Sequence, residues 1–259
     1  MRVRACGLCG SDVEKLGRVP AGTVLGHEVV AELADGRRVA LVHHLPCGDC
    51  ELCRAGHEPA CERFPAATIV PGGFAEHVRA GGGWVALPDG VDDAVGTFAE
   101  PLACVLRGAE RVPRGRVLVV GCGFVGRLFA QVLRRRGDDV FAHDRDSERA
   151  AETAPPARTP VDAAVLCAPG GAYTALAALE PGGTLLVFAD ADGLDPAVVY
   201  RHELTVLGSR SATPRHLEQA VHLLPELDPI PTEVLPLDHF EEGLARYRSH
   251  AATKVVFVP

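Results

Sequence analysis

The chain has almost no lysine: of its 26 basic residues, only Lys15 and Lys254 are not arginine. Nor is there a basic run. The arginines are scattered, and the tightest group, Arg134 to Arg136, closes a predicted helix, where cations suit the dipole. With a formal net charge of -8, the chain lacks the electrostatic basis for general binding to nucleic acid or an anionic membrane. A nucleotide cofactor is not excluded, because local backbone geometry binds it. No apolar stretch is long enough to span a bilayer. Met1-Arg2-Val3-Arg4 has no apolar h-region behind it, so no secretory signal is read and the cytoplasm is the expected location. Internal repeats and low-complexity segments are missing too. The cysteines are nine, an odd number, and four are tightly spaced, which in a cytosolic chain favours metal binding over disulfides.

What is present is the composition of a globular protein, 47% hydrophobic and 23% charged over 259 residues, enough for one large domain or two modest ones. Residues 1–93 carry most of the Cys, several of the His, many glycines and short β-like runs such as Glu28 to Leu33 and Arg38 to Val42. Residues 94–230 alternate strands and helices. Strand Arg116 to Val120 leads through a glycine turn to a helix from Phe124 to Arg136. Strand Asp139 to Ala142, helix Ser147 to Glu152 and a breaker-rich loop with Pro155, Pro156 and Pro160 come next. Asp162 to Cys167, Thr184 to Phe188 and Leu204 to Leu207 are further strands; Ala172 to Leu179 and Pro214 to Leu224 are helices. Continuous apolar strands separated by helices indicate an α/β domain with a parallel sheet covered on both faces. Residues 231–259 hold a strand-like run, a helix-like run and a closing strand, Lys254 to Val258.

Cys47, Cys50, Cys53 and Cys61 place four thiols within fifteen residues. Thiolates are soft ligands, and four of them close a tetrahedral zinc site with no open position, which stabilises a loop and performs no chemistry. Gly48 and Gly56 permit the turns such a site needs. An iron–sulfur cluster is the competing assignment, but the fourth spacing is wrong for it and no Cys-Pro follows.

Gly121-Cys-Gly-Phe-Val-Gly126 follows a strand and opens a helix, the context a dinucleotide fingerprint requires. Gly121 makes the turn, Gly123 lets a pyrophosphate approach the backbone and Gly126 packs helix on strand. Phe124 and Val125 begin the helix whose N-terminus faces the phosphates. Asp144 ends the next strand, eighteen residues beyond Gly126. A carboxylate there accepts hydrogen bonds from the adenosine ribose and repels a 2′-phosphate, so NAD is expected over NADP, with the neighbouring Arg145 able to soften the preference. Asp144 also has a second reading, as a cap for the helix at Ser147.

Cys6-Gly7-Leu8-Cys9-Gly10-Ser11-Asp12, Gly26-His27-Glu28, the four-cysteine lobe, Pro71-Gly-Gly-Phe-Ala-Glu76, Glu100-Pro-Leu-Ala103 and the glycine turn occur in that order. Together they resemble the zinc-dependent medium-chain dehydrogenase/reductase (alcohol dehydrogenase) family, most closely its sorbitol (polyol) and threonine dehydrogenase branch. The resemblance implies a Rossmann-type doubly wound parallel sheet (94–230) plus a shortened, β-rich GroES-like catalytic domain (1–93) carrying the structural zinc lobe (47–61), with 231–259 returning to the catalytic domain. It implies one catalytic zinc besides the structural one, held by Cys9, His27 and a carboxylate, either Glu28 or Glu100. Asp12 would hold the second nitrogen of His27, and Ser11 would take the proton from the substrate hydroxyl, although Ser11 also suits a helix cap. His44 is a candidate pocket residue, Cys6 a small buried residue and His57 a solvated one. The implied activity is reversible oxidation of a secondary alcohol, polyol or sugar-alcohol-like, with NAD. L-Threonine or another amino alcohol is the alternative substrate, and a non-catalytic zinc- and nucleotide-binding member the alternative role. A homodimer or homotetramer, joined through the strand at Leu204 to Leu207, is expected by the same analogy.

The chain departs from the family in being short. Strands that ordinarily precede Cys9 are expected to be missing, and the His27-to-Cys47 stretch and the region after Asp144 are compressed. Glu14 stands where relatives carry the relay histidine.

Overall fold

The computed structural model describes residues 1–64, 67–156 and 159–259; positions 157 and 158 of the expected breaker-rich loop lie outside them. Six strands come first: β1 (Arg2–Gly7), β2 (Glu28–Glu32), β3 (Arg38–Leu41), β4 (Ile69–Val70), β5 (Arg79–Ala80) and β6 (Trp84–Ala86). Five follow with helices between them: β7 (Arg116–Val120), β8 (Asp139–His143), β9 (Val161–Leu166), β10 (Leu179–Val187) and β11 (Thr205–Gly208). The chain closes with β12 (Thr232–Pro236) and β13 (Lys254–Val258).

Two compact units result. One comprises Met1–Ala103 with Ser211–Pro259, the other Cys104–Arg210. The breaks therefore fall at 103/104 and 210/211, inside the span 94–230 that alternation alone delimits. Helix Pro214–Leu223, which continues that alternation in sequence, belongs to the first unit and packs on β6.

The first unit is built on a six-stranded sheet ordered β12-β13-β1-β2-β3-β6. One strand, β1, thus precedes Cys9, and it lies between β2 and the closing strand β13, antiparallel to both. Aliphatic residues, most of them β-branched, make this arrangement compact: Val3, Val29, Ala31, Val39, Leu41, Ile69 and Val78 belong to one buried cluster. On the β13 side Leu8, Val255 and Phe257 form another, closed by Phe74, whose ring meets Phe240 and Phe257 edge-on at 5.4 and 5.6 Å. Such edge contacts place ring hydrogens against the neighbouring π face.

The second unit is a parallel five-stranded sheet, ordered β11-β10-β9-β7-β8. In order of appearance within the unit this is 2-1-3-4-5, a doubly wound pattern with its switch point between β7 and β9, where α/β sheets bind ligands beyond the strand ends. With the region after Asp144 short, no further strand pairs beyond β8 among the described residues. The apolar runs of β7 and β9 are buried almost throughout, as strands covered on both faces must be. Helix Phe124–Arg135 turns Leu128, Phe129, Val132 and Leu133 inward, carries Arg134 and Arg135 at its negative end, and stops at Gly137, whose φ of 92° suits a residue without Cβ. No described helix is long and apolar enough to cross a membrane.

Candidate metal centre and nucleotide site

Directly after β1 the chain turns into the short helix Gly10–Lys15, with Cys9 at its N-cap. Ser11 lies inside this helix and not at its cap, and its hydroxyl donates to Cys9 Sγ at 3.4 Å. Asp12 is buried and serves three groups: its Oδ2 accepts the Cys9 N–H (3.2 Å), and its Oδ1 accepts the Gly26 N–H (3.2 Å) and faces His27 Nδ1 at 3.1 Å. Burial alone would raise the Asp12 carboxyl; the His27 hydrogen bond and charge outweigh it and hold the group below its usual range. With Nδ1 on Asp12, Nε2 is the ring nitrogen that His27 can offer to a metal. Gly26 reaches this position with φ 94°, where an added Cβ would stand 2.8 Å from both Cys6 Sγ and the Phe74 backbone nitrogen. The Pro-Gly-Gly-Phe motif is the other half of this contact, Gly73 N–H and Phe74 N–H donating to the Gly26 and Leu25 carbonyls.

Cys9, His27 and Glu28 offer donor atoms within 4.8 Å of one another, and so do His27, His43 and Glu100. The two carboxylates differ in their surroundings. Glu28 forms a buried ion pair with Lys254, each side chain 2% exposed, and Lys254 Nζ also donates to the Leu8 carbonyl at 3.1 Å. Burial raises the Glu28 carboxyl despite that neighbour. Glu100, at the start of helix Ala99–Ala109, approaches His43 Nδ1 at 3.6 Å. The rings of His27 and His43 stack at 4.3 Å, as do those of His44 and Phe64 at 4.3 Å, while His43 and His44 meet at 3.7 Å with their planes tilted by 33°. Burial pushes His44 down to about 4, so it stands uncharged in this stack. His57 is exposed and Cys6 buried.

The four cysteines of the lobe lie with all sulfurs within 4.8 Å, and Cys47 Sγ to Cys53 Sγ is 3.8 Å. Four zinc–sulfur bonds of about 2.3 Å in a tetrahedron require sulfurs about 3.8 Å apart. Backbone N–H groups of Cys50 and Cys53 point at the sulfurs of Cys47 and Cys50 (3.3 and 3.4 Å), which suits thiolate charge. Gly48 and Gly56 adopt φ of 80° and 78° in the turns between ligands.

In the second unit Gly121 has φ 96°, and a Cβ on it would meet Ala168 Cβ at 2.7 Å. A Cβ on Gly126 would collide with the Gly121 carbonyl, whereas one on Gly123 would meet nothing within 4 Å. Two glycines are thus dictated by packing and the middle one faces open space, as approach of a pyrophosphate requires. Phe124 and Val125, both partly buried, start the twelve-residue helix. Asp144 Oδ2 accepts the Cys122 N–H at 2.6 Å and Oδ1 the Asp146 N–H at 3.0 Å. The helix at Ser147 is capped by Asp146, not Asp144, which leaves Asp144 at the glycine turn. Arg145 beside it is exposed.

Residues 1–89 match the model of the alcohol dehydrogenase GroES-like domain. The chain is 31% identical to D-altritol 5-dehydrogenase of Agrobacterium fabrum over 86% of its own length and 80% of that protein's. The chain belongs to the zinc-dependent medium-chain dehydrogenase/reductase family. It is accordingly an alcohol dehydrogenase, with the family's GroES-like and Rossmann parts. It is also 25% identical to L-galactonate-5-dehydrogenase of Escherichia coli K12, over 87% of this chain and 79% of the relative. A solved structure of a candidate zinc-binding dehydrogenase from Sinorhizobium meliloti 1021 bound to NADP superposes with TM-score 0.82 at 26% identity, covering 100% of this chain and 91% of that one. Two residues of this family member escape a motif reading. Lys254 carries no local signal and pairs with Glu28 across 226 positions. His43 is visible only as a neighbour of His44 until the fold stacks it on His27.

Proposed function

We propose that this dehydrogenase reversibly oxidises a secondary alcohol of the polyol or sugar-alcohol type with NAD, using one catalytic and one structural zinc per chain. The observation that carries this reading is that thiolate, imidazole and carboxylate donors of Cys9, His27 and Glu28 lie within 4.8 Å of one another, with His27 shared by a second group that contains Glu100. Zinc held there is a Lewis acid that lowers the pKa of an alcohol hydroxyl, and nicotinamide is the hydride acceptor. Cys9 and His27 bind the metal, with a carboxylate completing the set. Asp12 fixes the tautomer and orientation of His27. Ser11, against Cys9, receives the hydroxyl proton and passes it to solvent or to the exposed Glu14, which stands in for the usual relay histidine. Gly121, Gly123, Phe124, Val125 and Gly126 hold the pyrophosphate. Asp144 accepts the ribose hydroxyls and disfavours a 2′-phosphate, and Arg145 moderates that preference. The polyol dehydrogenases among the relatives support the substrate class. An amino alcohol such as L-threonine is the second reading, favoured by His44, whose ring lies against that of His43 at 3.7 Å.

A substrate screen of polyols, sugar alcohols and amino alcohols, read by nicotinamide absorbance with NAD and NADP in parallel, tests this. Turnover with a polyol and NAD is the expected result. Two bound zinc ions and NAD binding without hydride transfer to any of them would favour a non-catalytic role instead. Asp144→Ala is expected to erode the NAD-over-NADP ratio of kcat/KM by about 10- to 100-fold, the value of one or two charge-assisted hydrogen bonds. An unchanged ratio would remove Asp144 from the ribose site. We also assign self-association to the outer strand β11, where Val206 is exposed; sedimentation reads the resulting dimer or tetramer.

A further inference from the structure

His43 follows the end of β3 and stands beside the metal centre, its ring 4.3 Å from that of His27. Its two nitrogens meet different surroundings. Nδ1 is shielded from solvent and has no hydrogen-bond partner, and the charged group it faces is Glu100 Oε1, at 3.6 Å. A ring lone pair turned toward a carboxylate is repelled, whereas an N–H is attracted, so the proton of the neutral imidazole belongs on Nδ1. Nε2 then carries the lone pair. The side chain is 22% exposed although Nδ1 is shielded, so the edge that a ligand can reach is the one that holds Nε2. A hydrogen-bond acceptor with no partner among the described residues thus lies next to a residue that would hold the catalytic metal.

The ring is also held in place. Thr68 Oγ1 donates to the carbonyls of Val42, at 2.6 Å, and His43, which fixes the chain where it leaves β3. The His43 ring is in contact with His27 and, at 3.7 Å, with His44, which in turn stacks on Phe64. A group that reads a substrate needs this kind of rotamer locking, because a turn of the ring would put carbon where the acceptor was.

A polyol supplies the missing partner. On the carbon next to the one that is oxidised it carries a second hydroxyl, about one hydrogen-bond length from the reacting oxygen, and a monohydric alcohol has nothing there. Resting on the metal-centre reading given above, we propose that His43 selects vicinal diols: its Nε2 accepts a hydrogen bond from that second hydroxyl, while Glu100 keeps the proton on Nδ1. His43 touches the substrate and takes no part in holding the metal.

The test compares the symmetrical vicinal butanediol with sec-butanol, which differs from it by the one hydroxyl. With the zinc-loaded wild-type protein and NAD, kcat/KM should favour the diol. In His43→Phe, which keeps a ring in the same contacts, the diol-to-monool ratio of kcat/KM should fall by about 10- to 100-fold, the usual effect of removing the partner of a substrate hydroxyl. His43→Gln, with an amide oxygen as acceptor, should recover part of it. Nitrogen NMR of isotope-labelled histidine gives a readout that needs no turnover. In the wild-type protein without NAD, His43 Nδ1 should carry the proton, and the Nε2 resonance should move on addition of the diol and stay in place with sec-butanol. A wild-type protein that oxidises both alcohols equally well, or an Nε2 that carries the proton, would overturn the proposal and leave the metal-centre reading standing. Equal losses on both alcohols in His43→Phe would overturn it too, by showing a role in packing alone. If neither alcohol were oxidised, the proposal and the dehydrogenase reading would fall together. The wild-type measurements do not depend on how well a variant folds.

Discussion

Lys254→Met is expected to destabilise the protein by about 3–5 kcal/mol, the usual cost of removing one partner from a buried ion pair. Lys254 lies in β13, its side chain 2% exposed, and neutralises a Glu28 carboxylate that is equally buried. Methionine fills much of the same volume, so the loss comes from stranding the Glu28 charge and the Leu8 carbonyl, not from a cavity. Charge removal on the other side should recover most of it: Lys254→Met with Glu28→Gln should be more stable than Lys254→Met alone. The effect has a pH signature. A carboxyl whose folded pKa lies above its unfolded value of about 4.3 costs stability above that value, and the cost fades as pH falls. Burial raises Glu28 even beside Lys254, and removal of Lys254 raises it further. The deficit measured by denaturant unfolding should therefore be larger at neutral pH than near pH 5. A deficit of less than about 1 kcal/mol at neutral pH would mean that the pair contributes little.

Cys9→Ser is expected to lower kcat/KM by about a thousandfold or more while the protein stays folded. Lewis-acid stabilisation contributes several kcal/mol at the transition state, and each 1.36 kcal/mol is about tenfold in rate. Serine offers a harder, protonated donor where zinc favours thiolate. The fold should survive because what holds this turn is the Cys9 backbone N–H on Asp12 Oδ2, which serine retains. Zinc per chain should drop from two toward one, with the lobe still loaded. Circular dichroism, metal analysis and steady-state kinetics check the three parts separately. Full activity in the variant would take Cys9 out of the metal site.

Most of the local structure was legible because it rests on short-range chemistry. The β-branched run at Arg116 forms β7 to the residue, and the helix from Phe124 begins where the glycine turn places it. The cysteine spacing of the lobe anticipates four sulfurs within one ion's reach. Elsewhere the misses have physical causes. Strand β10 starts at Leu179, where periodicity reads the last residue of a helix, because the Pro-Gly-Gly turn interrupts the ladder and pairing resumes at Thr184. Strand β1 sits inside a motif whose residues draw attention as ligands and is held by partners from β2 and β13. Helix Pro214–Leu223 reads as one more helix of the alternating series, and only its contacts assign it to the first unit. The Lys254–Glu28 pair and the histidine stack are products of tertiary approach, which no spacing rule encodes.

The placement of β13 beside β1 bears on the order in which this protein can be made. During synthesis the unit at Cys104–Arg210 is contiguous and can close as soon as it emerges. The sheet begun by Arg2 cannot. Its central strand waits for a neighbour about 250 residues later in the chain. Until Lys254 arrives, Glu28 has no countercharge, so a nascent chain must keep that acid hydrated or protonated. Commitment of the first unit to its folded state is thus tied to residues translated after the whole second unit, and a ribosome-bound chain stopped at Arg210 should hold a finished nucleotide-binding sheet while the first unit is still unfinished.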